Sequence, residues 1–172
     1  RPLLLSSTIS EDNTILAVDL TNPDVVRDDH LLVPRGSLHI FRARTLWNGH
    51  SVDRIRISNH SRHPIQTPVA LHFDADFADL FEVRGTHRER RGTRIVDHAV
   101  ADHVVLRYQG LDRVERRTII RWDREPDRNE SGVVVFSMTL QPQQATELEI
   151  AVTCEVGEAS LENDMSARAN GI

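Results

Sequence analysis

The sequence predicts an all-β fold: a large antiparallel two-sheet β-sandwich, supersandwich-like, of about ten strands. Three observations predict it. Apolar residues recur at every second position along most of the 172 residues. Turn residues break this pattern at short intervals, and only one stretch carries a helix start signal. A closed barrel would show the same period, so periodicity leaves it open as the alternative.

The strands read in order. Leu3–Thr8, Thr14–Leu20 and Leu38–Trp47 come first. Ile55 and Ile57 then alternate with Arg54, Arg56 and Ser58, and Val69, Leu71 and Phe73 share a face. Arg94–His98 follows, then the face of Val104, Leu106 and Tyr108, then Arg113–Trp122. Val134, Phe136, Met138 and Leu140 form another face. In the last strand Leu148, Ile150, Val152 and Cys154 alternate with Glu147, Glu149, Ala151 and Thr153. Half-apolar strands of this kind have one dry and one wet face. Asn22-Pro23-Asp24, Pro34-Arg35-Gly36, Asn48-Gly49-His50 and Glu130-Ser131-Gly132 punctuate the pattern. Asn48-Gly49 is a hairpin signal, because both residues tolerate positive φ. A short helix is expected near 77–81, with Asp76 as its cap, Asp79 bonding back to it, and Phe77, Leu80 and Phe81 buried. The sandwich domain is placed at 1–156, and the polar stretch 157–172 reads as a linker.

Composition narrows the function. The chain is 39% hydrophobic and 27% charged, which is globular, and no apolar run reaches membrane-spanning length. No signal peptide pattern is visible. The formal net charge of −5 disfavours a nucleic-acid partner. All 21 basic residues are arginine, which removes Schiff-base and phosphate-loop lysine chemistry; codon bias is the simplest cause. A lone cysteine, Cys154, excludes an internal disulfide and a cysteine zinc site and fits a reducing cytoplasm. Its place on an apolar strand face reads as a buried, inert thiol.

The densest polar constellation is Asp74, Asp76, Asp79 and Glu82, followed by Arg84, Arg88, Arg90 and Arg91. Such carboxylates could serve a glycosidase or ligate calcium, but the spacing does not match a calcium loop. An acid–arginine network that pins a long loop is the preferred reading, since Arg's fork suits bidentate carboxylate pairing. Nine histidines are present, among them His60 and His63, and His98 and His103 across a turn. None has zincin spacing, so no metal site and no cofactor are expected. No nucleophile elbow exists. Trp47 and Trp122 lie at strand ends, where a ring could stack on a sugar, although packing is the preferred role. Asn59-His60-Ser61 and Asn129-Glu130-Ser131 match the glycosylation sequon, with no secretory signal to support them.

A longer pattern runs through the chain. Leu5-Ser6-Ser7-Thr8 precedes Leu20-Thr21-Asn22-Pro23 and Val33-Pro34-Arg35-Gly36-Ser37-Leu38-His39-Ile40. Then come the run from Phe73 to Gly85, FDADFADLFEVRG, and Arg88-Glu89-Arg90-Arg91-Gly92. This order resembles the N-terminal β-domain of bacterial glycogen-debranching (amylo-α-1,6-glucosidase-type) proteins, from about Arg1 to about Glu155. The resemblance implies a sandwich preceding an (α/α) helical barrel that carries the catalytic carboxylates. It also implies further strands ahead of Arg1. The expected role is therefore an accessory domain of an α-glucan hydrolase with no catalytic residue of its own. In that role Asp74, Asp76, Asp79, Arg84, Arg88, Arg90 and Arg91 lie at the domain interface or the substrate cleft. The alternatives are a stand-alone α-glucan-binding module and a purely structural or oligomer-forming sandwich.

Overall fold

The computed structural model describes residues 1–130 and 132–159, with residues 96–98, 158 and 159 described as backbone alone. Among the described residues, thirteen strands and one short helix are present. They are β1 (Leu3–Ile9), β2 (Ile15–Thr21), β3 (Val25–Arg27), β4 (His30–Val33), β5 (Leu38–Trp47), β6 (His50–Asn59), β7 (Ile65–His72), α1 (Leu80–Val83), β8 (Thr93–Ala99), β9 (His103–Gln109), β10 (Val114–Trp122), β11 (Arg128–Glu130), β12 (Val133–Leu140) and β13 (Ala145–Ala159). One sheet has eight strands in the order β1-β2-β5-β6-β13-β10-β9-β8. A second has three, β11-β12-β7, and β3-β4 is a separate hairpin. All pairings are antiparallel. The large sheet ends at β1 and β8 rather than closing, so the fold is a sandwich and not a barrel.

Alternation sets the core. Ile55, Ile57, Leu148, Ile150, Val104, Leu106, Ile120 and Trp122 point from the large sheet toward Val134, Phe136, Met138 and Leu140 of β12. Phe136 and Leu148 are each 1% exposed, and Trp122 meets Phe136 edge-on at 6.3 Å between ring centroids. The three extra strands were illegible for simple reasons. β3 and β4 flank a turn in which Asp28 and Asp29 both take positive φ, and neither strand is long enough to show a period. β11 reads Arg-Asn-Glu, and it is a strand because the edge of β12 offers it partners.

The turn signals acquire definite roles. Asn48 and Gly49 have φ of 46° and 76°, the two positive values a tight primed hairpin turn requires, and they bring Trp47 opposite His50. Asn22 is a buried knot: its Oδ1 accepts from the Leu38 N–H at 2.7 Å, while its Nδ2 donates to the Pro34 and Pro23 carbonyls at 2.8 Å. Asn59 does the same between the sheets. It is fully buried at the end of β6, and its Nδ2 donates to the carbonyls of His63 at 2.9 Å and Leu140 at 3.0 Å. Its Oδ1 accepts from the Ser61 N–H. This burial places the first glycosylation sequon out of reach in the folded chain.

Two expectations are corrected. The helix is shifted: it spans 80–83, capped by Asp79 rather than Asp76, with Glu82 completing the capping box. Glu82 lies three residues after Asp79 and has the longer acidic side chain that reaches back to the cap N–H. No residue of this helix is buried, so Leu80 and Phe81 do not form an inner face. Cys154 is exposed, because the small sheet stops short of it; along β13 burial fades from Leu148 and Ile150 through Val152 to Cys154. β13 itself continues through Ala159, past the expected boundary at 156, and residues 160–172 lie outside the described residues.

Replacing Asn59 with alanine strands several buried backbone groups where the two sheets meet. A loss of about 3 kcal/mol is expected, with an unchanged urea m-value. A shift below about 0.5 kcal/mol in urea unfolding would show that the sheets do not depend on this side chain.

Candidate functional site

The stretch from Phe73 to Gly92 leaves the edge of the small sheet and returns as β8 at the edge of the large one. It is long, and paired charges hold it. Arg94 Nη1 donates to Asp74 at 2.7 Å and Arg91 Nε to Glu82 at 2.6 Å, and Arg88 Nη2 forms an ion pair with Asp79 at 2.9 Å. Asp76 accepts from the Ala78 N–H and so shapes a local turn. The guanidiniums of Arg84 and Arg90 make no hydrogen bond or ion pair with the described residues. The structure therefore brings Asp74, Asp79, Glu82, Arg88 and Arg91 into one pinned loop, and adds Arg94 to them.

Each paired carboxylate is held below its ordinary pKa. For Asp74 the main cause is the Arg94 hydrogen bond. For Asp79 it is the Glu82 backbone N–H, and for Glu82 the Arg91 guanidinium. A glycosidase general acid needs the opposite, a carboxyl raised toward neutrality. These three groups are ionised acceptors with structural work to do. Among the described residues, no three His, Cys, Asp or Glu side chains gather as a metal site. His60 packs near His39, and His103 bonds Asp102; the His98 side chain lies outside the described residues.

Behind the loop lies a second set of residues that sequence reading missed. Phe77 stacks on Tyr108 with centroids 5.0 Å apart and planes 11° from parallel. Tyr108 Oη accepts from the Gly92 N–H at 2.7 Å. Gly92 allows that approach, since a Cβ there would lie 2.0 Å from the Gln109 carbonyl oxygen. Phe77 reaches its place at φ 50°, a left-handed conformation that costs a bulky L-residue roughly 1–2 kcal/mol. In the β9–β10 turn Arg116 grips Asp112 through both carboxylate oxygens, at 3.0 and 2.7 Å. That hydrogen bonding lowers Asp112 to about 2. Beside it Arg107 and Arg117 bring Glu115 to about 2. The available signals were the Gly110-Leu111-Asp112 turn and the four-residue spacing of Asp112 and Arg116.

The two tryptophans part company. Trp47 is 67% exposed at the tip of the β5–β6 hairpin. Trp122 is 7% exposed, stacks edge-on with Phe136 and donates from Nε1 to the Ala101 carbonyl at 2.9 Å. A buried indole has no free face for a sugar, and Trp122 takes the packing role that its sequence position favours. Its strand end is covered because β12 crosses there.

Taken together, these features define an antiparallel β-sandwich domain in which the loop carboxylates Asp74, Asp79 and Glu82 are tied into ion pairs. The particular family follows from comparison: the family described as the N-terminal domain of (some) glycogen debranching enzymes matches residues 1–151, and the chain belongs to it. No curated protein matches the chain. Among solved structures, one is a provisionally named kojibiose phosphorylase from human microbiome, with 13% identity and a TM-score of 0.58 over 90% of this chain and 19% of that one. That likeness is one of fold, and this chain spans only 19% of the phosphorylase. A polysaccharide lyase is similar at 14% identity and TM-score 0.47 over 88% of this chain and 23% of its own. A galactose mutarotase related enzyme from Lactobacillus acidophilus is similar at 9% and 0.43, over 94% and 72%. Among the described residues, no helix is long and apolar enough to cross a membrane.

The depressed carboxyls give a signed pH dependence. Asp112 and Glu115 fall from ordinary values of 3.8 and 4.5 to about 2, so they bind protons less readily folded than unfolded. Their contribution is complete above about pH 4.5 and is lost as pH falls toward 2. Urea midpoints should be flat from pH 7 to about 5 and then drop. In a D112N/E115Q variant that drop should be shallower; an identical acid limb would show that other groups control it.

Proposed function

We propose that this chain is the N-terminal accessory domain of a cytoplasmic, bacterial amylo-α-1,6-glucosidase-type glycoside hydrolase. In this reading it packs on a separate (α/α) barrel that supplies the catalytic acids, and it shapes the barrel's cleft around an α-glucan. The Phe73–Gly92 loop forms the contact. Asp74, Asp76, Asp79, Arg84, Arg88, Arg90 and Arg91 serve there by holding the loop's shape and facing the partner.

One observation carries this reading. Helix α1 presents Leu80, Phe81 and Val83 to solvent at 59%, 65% and 73% exposure, on a turn fixed by a capping box and by the Arg88–Asp79 and Arg91–Glu82 pairs. Apolar side chains held out rigidly lose little entropy on docking. Such a protruding patch marks an interaction surface. Arg84 and Arg90, with no protein partner among the described residues, supply a polar rim of the kind interfaces carry. Domain membership in a debranching family makes the barrel the natural occupant.

The second reading is a glycan-binding module acting through Trp47, whose exposed ring is its support.

Co-expression with the helical domain of the same protein tests the first reading. The wild-type chain should co-purify with it, and an L80S/F81S variant should lose at least about tenfold in association while melting at the same temperature. Unchanged association sinks the assignment of the interface. The isolated chain should release no glucose from an α-1,6-branched dextrin; turnover by it would sink the accessory role.

A further inference from the structure

A pocket of about 390 Å³ opens between the pinned loop and the β9–β10 turn, lined by Phe77, Asp79, Arg88, Tyr108, Asp112 and Arg116 among others. Its size falls within the range of small-ligand sites. Its construction is specific. The stacked Phe77 and Tyr108 rings supply an apolar slab. On the rim stand two carboxylate–guanidinium pairs, Asp79–Arg88 and Asp112–Arg116. Gly92 and Gly110 let the walls close in: a Cβ on Gly110 would lie 2.3 Å from Asp112 Oδ1 and 2.6 Å from Arg116 Nη1. The strained backbone at Phe77 is what puts the aromatic ring in this wall.

We infer that this pocket is a subsite for a glucosyl unit of a neutral α-glucan, bound by the domain itself.

The charge pattern selects the class. Two carboxylates and two guanidiniums cancel, so neither an anion nor a cation finds an excess of opposite charge. The pairs still offer hydrogen bonds. A carboxylate has about four lone-pair sites and a guanidinium five N–H donors. Arg88 uses a single Nη2 contact to Asp79, whose Oδ1 accepts from the Phe81 and Glu82 N–H groups; Arg116 engages Asp112 through its two Nη atoms and also donates to the Val114 carbonyl, while Asp112 Oδ1 accepts from the Val114 N–H. What remains is an acceptor beside a donor, the arrangement that adjacent sugar hydroxyls satisfy. The aromatic slab suits the apolar C–H face of a pyranose. The choice of an α-linked glucan rests on the proposed function; the neutral, polyhydroxylated character rests on the pocket.

Titration calorimetry and saturation-transfer NMR on the chain, with maltoheptaose as probe, test this. Saturable binding with a dissociation constant on the order of 1 mM is expected. Inorganic phosphate and glucuronate at equal concentration should not compete. Phe77→Gly is the informative variant, because glycine accepts φ 50° and so removes the ring while relieving the backbone. It should keep or raise the melting temperature and weaken binding by roughly tenfold or more. Arg88→Ala should also weaken binding, and Trp47→Ala should leave it unchanged. Absence of maltoheptaose binding, binding that survives Phe77→Gly, loss of binding in Trp47→Ala, or displacement by phosphate would each overturn the inference. L80S/F81S leaves the pocket intact, so failure of docking and failure of sugar binding are separate results.

Discussion

A three-stranded sheet laid on an eight-stranded one can dry only part of the larger face, and the rest of the molecule is arranged around that mismatch. Where β12 and β7 cross, the large sheet contributes Val104, Leu106, Ile120, Ile55, Leu148 and Ile150, all buried. Beyond that footprint the same strands must end in something water can tolerate. On β6 the inward row runs Ile57, Ile55 and then Asp53, which is 6% exposed. Burial by itself would raise the Asp53 pKa, but hydrogen bonds from Arg42 and Arg44 outweigh it and hold it low. The core thus closes on an ion-paired carboxylate. Polar side chains do the same at the opposite border: Asn59 satisfies the carbonyls where β6, β7 and β12 converge.

The same logic governs the loop between the sheets. It joins the edge of one sheet to the edge of the other; Phe73, Ala75 and Phe77 pack against the core, and the remainder is not held by burial. Its fixed points are instead a capping box, three arginine–carboxylate pairs and one tyrosine hydroxyl. Exposed ion pairs are individually weak, commonly under about 1 kcal/mol. Their effect here is geometric: Arg88 and Arg91 tie α1 and its cap to the segment ahead of β8, and Arg94 ties Asp74 to β8 itself. A loop held this way can present Leu80, Phe81 and Val83 outward without collapsing onto them.

The sequence made the strands legible because a two-residue period survives wherever one sheet face is dry. The ten expected strands sit where alternation put them. Alternation does not carry the size of the opposing sheet. Cys154 continues the apolar row of Leu148 and Ile150 in sequence, and in space that row runs past its cover. By spacing alone, Phe77, Leu80 and Phe81 share one helical face. In the structure a left-handed residue at Phe77 separates it from the helix, sending it to Tyr108 and the others to solvent. Trp47 and Trp122 look alike as strand-end tryptophans, and only the crossing of β12 distinguishes them. The acid–arginine loop was readable as a network, but its partners were not: Arg94 lies 20 residues from Asp74 and meets it only because β8 returns beside β9.

A lysine-free composition has a physical consequence whatever its genetic origin. Three ion pairs among the described residues use the guanidinium fork across both carboxylate oxygens rather than a point charge. Arg107 contacts both oxygens of Glu115, Arg116 both of Asp112, and Arg42 both of Asp53. An ammonium could neutralise these carboxylates but could not fix their planes. Fixed planes matter most at Asp112, where Gly110 leaves no slack between the turn and the Asp112–Arg116 pair. A domain that must hold a long loop and a turn in register, with little core beneath either, gains direction from arginine as well as charge. That directional bonding gives the Asp112–Arg116 side of the pocket a defined shape.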